Sequence, residues 1–174
     1  TNILESCIPF KNIKIINLGS SCIYPLNAEN PISEDEFMNG KLEPTNSPYA
    51  MAKLTAIELG NAMKEQYGHK VINLMPTNLY GPNDNYHPLN SHVVPSLIRK
   101  FSIAKRDNLS SVTCWGSGLV CRELMHVDDL AEAAIFCLEN WFPSEIDAPK
   151  DNSGNPLNYL NVGTGKDISI RELA

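Results

Sequence analysis

The sequence has no long apolar segment and no concentration of positive charge. No apolar run approaches the ~20 residues that a helix needs to cross a bilayer, and no signal peptide is visible at its start. The 14 lysines and arginines are outnumbered by 20 aspartates and glutamates, which gives a net charge of −6. Because no basic block interrupts this acidic background, we expect neither a membrane nor a nucleic acid as partner.

Cysteine pairs with the spacing of zinc or redox motifs are also missing. The five cysteines are Cys7, Cys22, Cys114, Cys121 and Cys137, and no two of them form a Cys-x-x-Cys pair. An odd number of unpaired thiols is typical of a protein in a reducing compartment. We therefore predict a cytoplasmic protein without a metal site.

No complete glycine-rich phosphate loop is present. The Gly-x-Gly pairs that begin at Gly116 and Gly163 resemble the start of a dinucleotide fingerprint, but Cys121 and Ile168 occupy the places of the third glycine. The chain also begins without methionine, and it ends within a helix that we predict from Ser169 onward. We expect it to be a fragment of a longer protein.

Two short apolar runs flank a long helical pattern. Residues 13–18 and 71–75 are nearly continuous apolar segments, which predicts strands covered on both faces of a parallel sheet. Residues 48–67 between them predict a helix, with Ser47 as its cap and Gly68 as its stop. A strand, a helix and a second strand make one right-handed parallel βαβ unit, so the fold class is α/β.

The remaining segments carry weaker patterns. Residues 26–46 predict a surface loop, residues 112–115 and 160–162 predict strands, and residues 140–158 predict an inserted surface loop. A second helix is expected to open at Ser91 and His92, and Asp128 and Asp129 could cap a third helix that runs to Leu138.

Tyr49 and Lys53 lie four residues apart in the first predicted helix, so they share one helix face. A lysine ammonium beside a phenol favours the phenolate, which suits the phenol to exchange protons at neutral pH. The same spacing occurs often on ordinary solvated helix faces. The pair alone therefore suggests an acid/base device without establishing one.

A second face of the same helix carries the apolar residues Ala50, Leu54 and Ile57. A helix that is apolar on two sides packs against its own sheet and against something else. We expect this stripe to meet its own copy across a two-fold axis, which would make the protein a homodimer.

Small polar side chains follow the first predicted strand. Ser20, Ser21 and Cys22 come directly after residues 13–18 and Gly19. Ligands of open α/β sheets bind at the carboxyl ends of strands, which predicts a site here. The alternative is a serine-rich turn with a buried cysteine.

Taken together, these segments resemble the extended short-chain dehydrogenase/reductases. The longer matches are Leu18-Gly-Ser-Ser-Cys-Ile-Tyr-Pro25, Leu42-Glu-Pro-Thr-Asn46, Met75-Pro-Thr-Asn-Leu-Tyr-Gly-Pro82, Asn90-Ser-His-Val93, Trp115-Gly-Ser-Gly118 and Arg122-Glu-Leu-Met-His-Val-Asp-Asp129. Within that family they are similar to the epimerase/reductases of GDP-4-keto-6-deoxymannose, over nearly the whole chain except the 140–158 loop.

The resemblance implies a Rossmann-type parallel sheet with helices on both faces, plus part of a smaller α/β substrate-binding domain. Residues 1–82 would form the C-terminal half of an NADP-binding domain. Residues 83–174 would form mostly substrate-binding segments, with returns to the first domain. The implied partners are NADP(H) and a GDP-sugar.

The resemblance also implies catalytic roles. Tyr49 would donate a proton to the C4 oxygen of the sugar while NADPH reduces C4, Lys53 would hold the nicotinamide ribose, and Ser20 would hydrogen-bond the ketone. Cys22 and His92 would form the acid/base pair that epimerises C3 and C5.

Further positions are implied for ligand binding. The cofactor would contact Leu18, Gly19, Ser20, Ser21, Lys53, Pro76, Thr77, Asn78, Leu79 and His92. The substrate would contact Lys100, Trp115 and Arg122. Lys100 stands where the family pattern favours a second arginine, so the charge is kept and the forked guanidinium is lost.

These patterns leave two alternatives open. One is another epimerase, reductase or dehydratase of the same superfamily, such as an enzyme that acts on a dideoxy GDP-sugar. The other is a non-catalytic nucleotide-binding module.

Overall fold

The computed structural model describes residues 1–142 and 145–174, which form two compact units. The first unit contains Thr1–Thr77 and Leu130–Val162, and the second contains Asn78–Asp129 and Gly163–Ala174. The helices are α1 (Asn2–Cys7), α2 (Ser47–Tyr67), α3 (Val93–Arg106), α4 (Val127–Asn140) and α5 (Ile170–Leu173). The strands are β1 (Lys14–Leu18), β2 (Lys70–Pro76), β3 (Asn78–Tyr80), β4 (Cys121–His126), β5 (Tyr159–Val162) and β6 (Asp167–Ser169).

The first unit is built on a parallel sheet in the order β1-β2-β5. Both strand pairs are parallel, and Asn17 of β1 stands opposite Asn73 of β2. β1, α2 and β2 follow one another along the chain, so the predicted βαβ unit is confirmed. Their carboxyl ends lie at one edge of the sheet.

The central strand β2 is buried from Val71 to Pro76, because apolar residues cover both of its faces. Successive side chains of a strand point to opposite faces. One cluster contains Ile72, Leu74, Cys137, Trp141, Phe142 and Ala148. The other contains Ile23, Tyr24, Leu54, Ile57 and Met75. The first cluster includes a residue of α4 and the second includes residues of α2, so helices cover both faces of the sheet and the α/β prediction is confirmed.

Helix α2 begins one residue earlier than predicted. Its N-cap is Asn46, which makes no side-chain capping hydrogen bond, and Ser47 is already helical. At the other end Gly68 adopts φ +71°, a left-handed conformation that glycine reaches without strain, and its N–H bonds to the carbonyls of Lys64 and Met63. Gly68 therefore stops the helix, as predicted.

The stripe of Ala50, Leu54 and Ile57 does not form an outer contact surface. These residues are 1%, 6% and 0% exposed, because this face of α2 packs into the core of its own unit. The expectation that the stripe meets its own copy across a two-fold axis is wrong. Gly60 shows how close the packing is, since a Cβ there would lie 2.9 Å from Val71 Cγ1.

The segment between α4 and β5 is not a simple surface insertion. Trp141, Phe142, Ala148 and Leu157 are all buried, and three of them belong to the core cluster around Ile72. The prediction of a surface loop over 140–158 is wrong for these residues, because apolar side chains dispersed among polar residues lack a clear period. Residues 143 and 144 of that loop lie outside the described residues.

The second unit has a mixed sheet in the order β3-β4-β6, in which β3 is parallel and β6 antiparallel to β4. Residues 112–115 do not form the predicted strand, because they join no ladder within the described part of the chain. Helix α4 starts at Val127, which places Asp128 and Asp129 in its first turn and not at its cap. Across residues 1–142 and 145–174, no helix is long and apolar enough to cross a membrane.

We predict that Ile57→Ala lowers the free energy of unfolding by about 2–5 kcal/mol, because it leaves a cavity at a fully buried position. Gln66→Ala on the same helix is the control. Gln66 is exposed, so its truncation should cost roughly 0.5 kcal/mol or less. Urea denaturation of both variants measures the difference, and equal losses would contradict the assignment of the buried face.

Candidate functional site

A tight turn follows β1 and presents Ser20 and Cys22 at the carboxyl edge of the sheet. Ser20 is the N-cap of a one-turn 3-10 helix over Ser21–Ile23, and its Oγ accepts a hydrogen bond from the Cys22 N–H at 3.3 Å. Ile23 is fully buried and fixes the turn to the core. Cys22 is half-buried. The turn therefore holds a hydroxyl and a thiol close together at the place where ligands of such sheets bind.

Gly19 allows the chain to leave β1 close to β2. Its N–H donates to the Leu74 carbonyl at 2.8 Å, and a Cβ at this position would collide with the sulfur of Met75. A larger residue would force the buried Met75 side chain or the turn itself to shift. The glycine is therefore a packing requirement of the turn that carries Ser20 and Cys22.

Lys53 links the end of β1 to Tyr49. Its Nζ donates to the Leu18 carbonyl at 2.7 Å and lies 5.6 Å from the centroid of the Tyr49 ring. Tyr49 is 47% exposed, and its hydroxyl makes no hydrogen bond to the residues that the structure describes. An accessible phenol thus stands beside a fixed ammonium, and the buried face of α2 holds both on the sheet.

A carboxylate organises the chain just before α2. Glu43 accepts hydrogen bonds from the Thr45 hydroxyl at 2.6 Å, the Thr45 N–H at 3.1 Å and the Asn46 N–H at 2.9 Å. The Thr45 hydroxyl is the main reason that the pKa of Glu43 lies below its usual value of 4.5. Glu43 thereby fixes the backbone that leads into α2.

The end of β2 lies at the same edge as the turn after β1. Pro76 is buried, and the Thr77 N–H donates to the Val162 carbonyl at 3.1 Å, which extends the pairing with β5. The first unit therefore brings together one group of predicted site residues at its carboxyl edge. They are Leu18, Gly19, Ser20, Ser21, Cys22, Tyr49, Lys53, Pro76 and Thr77.

Asn78, Leu79 and His92 belong to the second unit. Asn78 lies in β3, and its Nδ2 donates to the Glu123 carbonyl at 3.1 Å. Leu79 pairs with Met125 of β4. His92 is the exposed N-cap residue of α3, with no side-chain capping bond.

The second unit also pairs two of the predicted substrate residues. Lys100 Nζ donates to the Thr113 carbonyl at 3.1 Å and lies 4.7 Å from the centroid of the Trp115 ring. Trp115 is 78% exposed, so one face of its ring is held by the lysine while the side chain remains accessible. Arg122 is exposed on β4, and its guanidinium donates a hydrogen bond to the Cys121 carbonyl.

Sequence reasoning missed a network that joins the turn after β1 to β5. Tyr24 is 4% exposed, and its hydroxyl donates to Asn161 Oδ1 at 2.6 Å. Asn161 Nδ2 donates to the Ile32 carbonyl at 2.9 Å, and the Asn161 N–H donates to Glu34 Oε1 at 2.8 Å. A tyrosine inside the Leu18-to-Pro25 motif was the available signal, since buried tyrosines need a hydrogen-bond partner. Its partner lies 137 residues away.

Burial raises the pKa of both tyrosine hydroxyls of this network above the usual value of 10. It raises the pKa of Tyr24, and the nearby Glu34 carboxylate acts in the same direction. Burial and the carboxylates of Asp35 and Glu34 raise the pKa of Tyr159 to about 12. Tyr159 donates to the Glu34 carbonyl at 3.1 Å and stacks on Phe37 with ring centroids 4.6 Å apart.

The chain is similar to a set of proteins whose names refer to the synthesis or reduction of GDP-linked sugars. The sequence profile of the NAD dependent epimerase/dehydratase family matches residues 1–147. A GDP-L-fucose synthase from Escherichia coli (strain K12) is 50% identical over 161 residues, which are 92% of this chain and 49% of that protein. The chain spans about half the length of the curated relatives it matches.

Two solved structures show the same fold. A GDP-L-fucose synthetase from Naegleria fowleri bound to NADP has a TM-score of 0.80 and 27% identity, and the match covers 99% of this chain and 51% of that one. A GDP-mannoheptose C4 reductase from Campylobacter jejuni with NADP bound has a TM-score of 0.84 and 31% identity, over 99% of this chain and 58% of that one. These likenesses confirm the expected Rossmann-type architecture.

We predict that the stability difference between the wild type and Glu43→Gln depends on pH. The pKa of Glu43 is lowered in the folded state, so its carboxylate contributes stability above the unfolded value near 4.5. That contribution is lost as the pH falls through the lower folded pKa. The variant should be less stable at pH 7, and the difference should shrink on acidification.

Urea denaturation at a series of pH values measures this difference. Glu65→Gln, on the exposed part of α2, controls for the loss of one negative charge from the same region. A difference for Glu43→Gln that stayed constant down to pH 2 would contradict the role of its carboxylate.

Proposed function

We propose, from the premise that this chain belongs to the NAD dependent epimerase/dehydratase family, that the protein converts GDP-4-keto-6-deoxymannose to GDP-L-fucose with NADPH. The conversion consists of epimerisation at C3 and C5 and reduction at C4. The observation that carries the proposal is the placement of Lys53 between the Leu18 carbonyl and the Tyr49 ring, beside the turn that holds Ser20 and Cys22. The names of the relatives at 42–50% identity support the substrate.

The residues of the first unit fit the nicotinamide end of NADP(H). The Lys53 ammonium has three N–H donors and uses one on Leu18, which leaves donors for ribose hydroxyls. Pro76 and Thr77 end β2 at the same edge, and Asn78 and Leu79 follow them in the chain. When bound, NADPH supplies a hydride for C4 of the sugar.

Tyr49 acts as the proton donor in the reduction. Its exposed hydroxyl gives a proton to the C4 oxygen as negative charge develops there, and the Lys53 ammonium stabilises the phenolate that remains. The Ser20 hydroxyl donates a hydrogen bond to the same oxygen. Tyr49 and Ser20 therefore act mainly on the transition state, where their interactions with the C4 oxygen are strongest.

Cys22 and His92 act as the acid and base of the epimerisation. The protons at C3 and C5 are acidic because both carbons flank the C4 ketone, and the donors to the ketone oxygen stabilise the enolate. One of the two side chains removes the proton from the carbon, and the other returns a proton to the opposite face of the same carbon. Lys100, Trp115 and Arg122 bind the GDP-sugar, where the arginine is suited to grip the pyrophosphate with two hydrogen bonds.

The test is the reaction of the full-length protein with GDP-4-keto-6-deoxymannose and NADPH in deuterated water, followed by proton NMR of the product. We expect GDP-L-fucose with deuterium at C3 and C5. Cys22→Ser should lose most of this deuterium and accumulate a reduced sugar that is not epimerised, because an alkoxide forms far less readily than a thiolate.

Tyr49→Phe is the matched control for Cys22→Ser. It should slow reduction by about a hundredfold or more while deuterium still enters C3 and C5. A wild type that reduces the sugar without deuterium uptake would contradict the epimerisation and favour a simple C4 reductase, like the relative from Campylobacter jejuni. Unchanged deuterium uptake in Cys22→Ser would remove Cys22 from the mechanism.

We further propose that the protein works as a cytoplasmic homodimer through the outer face of α2. Met51, Thr55 and Ala62 lie on one side of the helix, and all three are exposed. In a two-fold interface each of these residues can lie near its own copy.

A Met51→Glu variant should therefore dissociate, because two carboxylates would then be buried in the same interface. Light scattering of the full-length protein measures its mass. Leu89→Glu is the control, since Leu89 is also exposed and lies far from α2 in sequence. A monomeric wild type at high concentration would contradict the homodimer.

A further inference from the structure

We propose that Tyr24 and Asn161 are positioning residues that hold the turn bearing Ser20 and Cys22 in its reactive position. The hydrogen bond from the Tyr24 hydroxyl to Asn161 Oδ1 fixes the C-terminal end of that turn to β5. The catalytic consequence rests on the proposed function, whereas the effect on the geometry of the Cys22 thiol does not.

The turn is short, so an anchor at its end acts directly on Cys22. The 3-10 helix over Ser21–Ile23 contains a single turn, and Tyr24 is its C-cap residue. Tyr24 is two residues from Cys22, and its ring is buried in the cluster with Met75 and Leu54. The apolar ring fixes the depth of the turn, and the hydroxyl fixes the direction in which the ring points.

Asn161 is suited to this role because its other polar groups are also engaged. Its Nδ2 donates to the Ile32 carbonyl, and its backbone N–H donates to Glu34 Oε1. Both acceptors lie in the long segment between Cys22 and Tyr49. The bond from Nδ2 orients the carboxamide so that Oδ1 faces Tyr24, and the bond from the backbone N–H holds the strand to the same segment.

The long segment over residues 25–46 would otherwise leave the turn weakly held on that side. Loops of this length are usually more mobile than the elements they join. Here the network ties the loop to the last strand of the sheet. Proton transfer needs the thiol within hydrogen-bond reach of the carbon-bound proton, and a displacement of about 1 Å can reduce a rate roughly a hundredfold.

Tyr159 provides a matched control within the same network. Its hydroxyl donates to the Glu34 carbonyl and is part-buried like that of Tyr24. The ring of Tyr159 packs against the cluster that contains Tyr24, but its hydroxyl bonds to Glu34, which lies outside the turn after β1. Tyr24→Phe and Tyr159→Phe therefore remove the same chemical group from two neighbouring tyrosines, of which only the first anchors Cys22.

The experiment compares both variants in the full-length protein. In Tyr24→Phe we expect deuterium exchange at C3 and C5 to slow at least tenfold, while KM for the GDP-sugar changes less than twofold. Tyr159→Phe should leave both quantities within twofold of the wild type. Asn161→Ala should slow the exchange at least as much as Tyr24→Phe, because it removes the same hydrogen bond and also the bond to the Ile32 carbonyl. The double variant should be no slower than Asn161→Ala. If Tyr24→Phe fails to fold, Asn161→Ala carries the test, since Asn161 is an exposed residue.

A second readout does not depend on the reaction. The rate at which iodoacetamide alkylates Cys22, followed by mass spectrometry of its peptide, should change severalfold in Tyr24→Phe and Asn161→Ala and stay unchanged in Tyr159→Phe. If the wild type does not turn over GDP-4-keto-6-deoxymannose, the proposed function fails and this alkylation rate decides the positioning role. Unchanged alkylation in Tyr24→Phe, or equal changes in Tyr24→Phe and Tyr159→Phe, would overturn the proposal.

Discussion

The first unit depends on the burial of β2 from both faces. Six successive residues from Val71 to Pro76 are withdrawn from water, which is possible only if one layer of side chains covers each face of the strand. α2 supplies one layer. α4 and the segment that follows it supply the other, through Cys137 and Trp141. Once this strand is central, β1 and β5 take the two positions beside it, and the carboxyl edge that carries the candidate site is defined.

Helix α2 joins this packing to the candidate site. Ala50, Leu54 and Ile57 bury one face of the helix, and this fixes its rotation about its own axis. The rotation then determines where Tyr49 and Lys53 point, since residues four apart share a face. Lys53 reaches the Leu18 carbonyl because of this orientation. A stability feature therefore sets the geometry of the phenol and the ammonium.

Polar groups inside the sheet favour one register between neighbouring strands, in addition to the apolar packing. Asn73 is fully buried, accepts from Asn17 Nδ2 at 2.9 Å, and donates from its own Nδ2 to the Asn158 carbonyl at 2.9 Å. A buried amide without partners is costly, so a shift of β1 or β5 by one residue would be penalised. The bond from Tyr24 to Asn161 has the same character at the edge of the sheet, directly after the turn that contains Cys22.

The sequence by itself determined the elements whose signals are local. The continuous apolar runs predicted β1 and β2, Gly68 predicted the end of α2, and the spacing of Tyr49 and Lys53 predicted their shared face. The motifs that resemble the family added the remaining site residues. Only the tertiary structure decided which apolar face of α2 is buried, because the sheet beneath the helix makes that choice. Tertiary packing also decided that Trp141 and Phe142 join the core, and that residues 112–115 remain outside any sheet. The partnership of Tyr24 with Asn161 could not be read from the chain, because a hydrogen bond across 137 residues leaves no periodic trace in either segment.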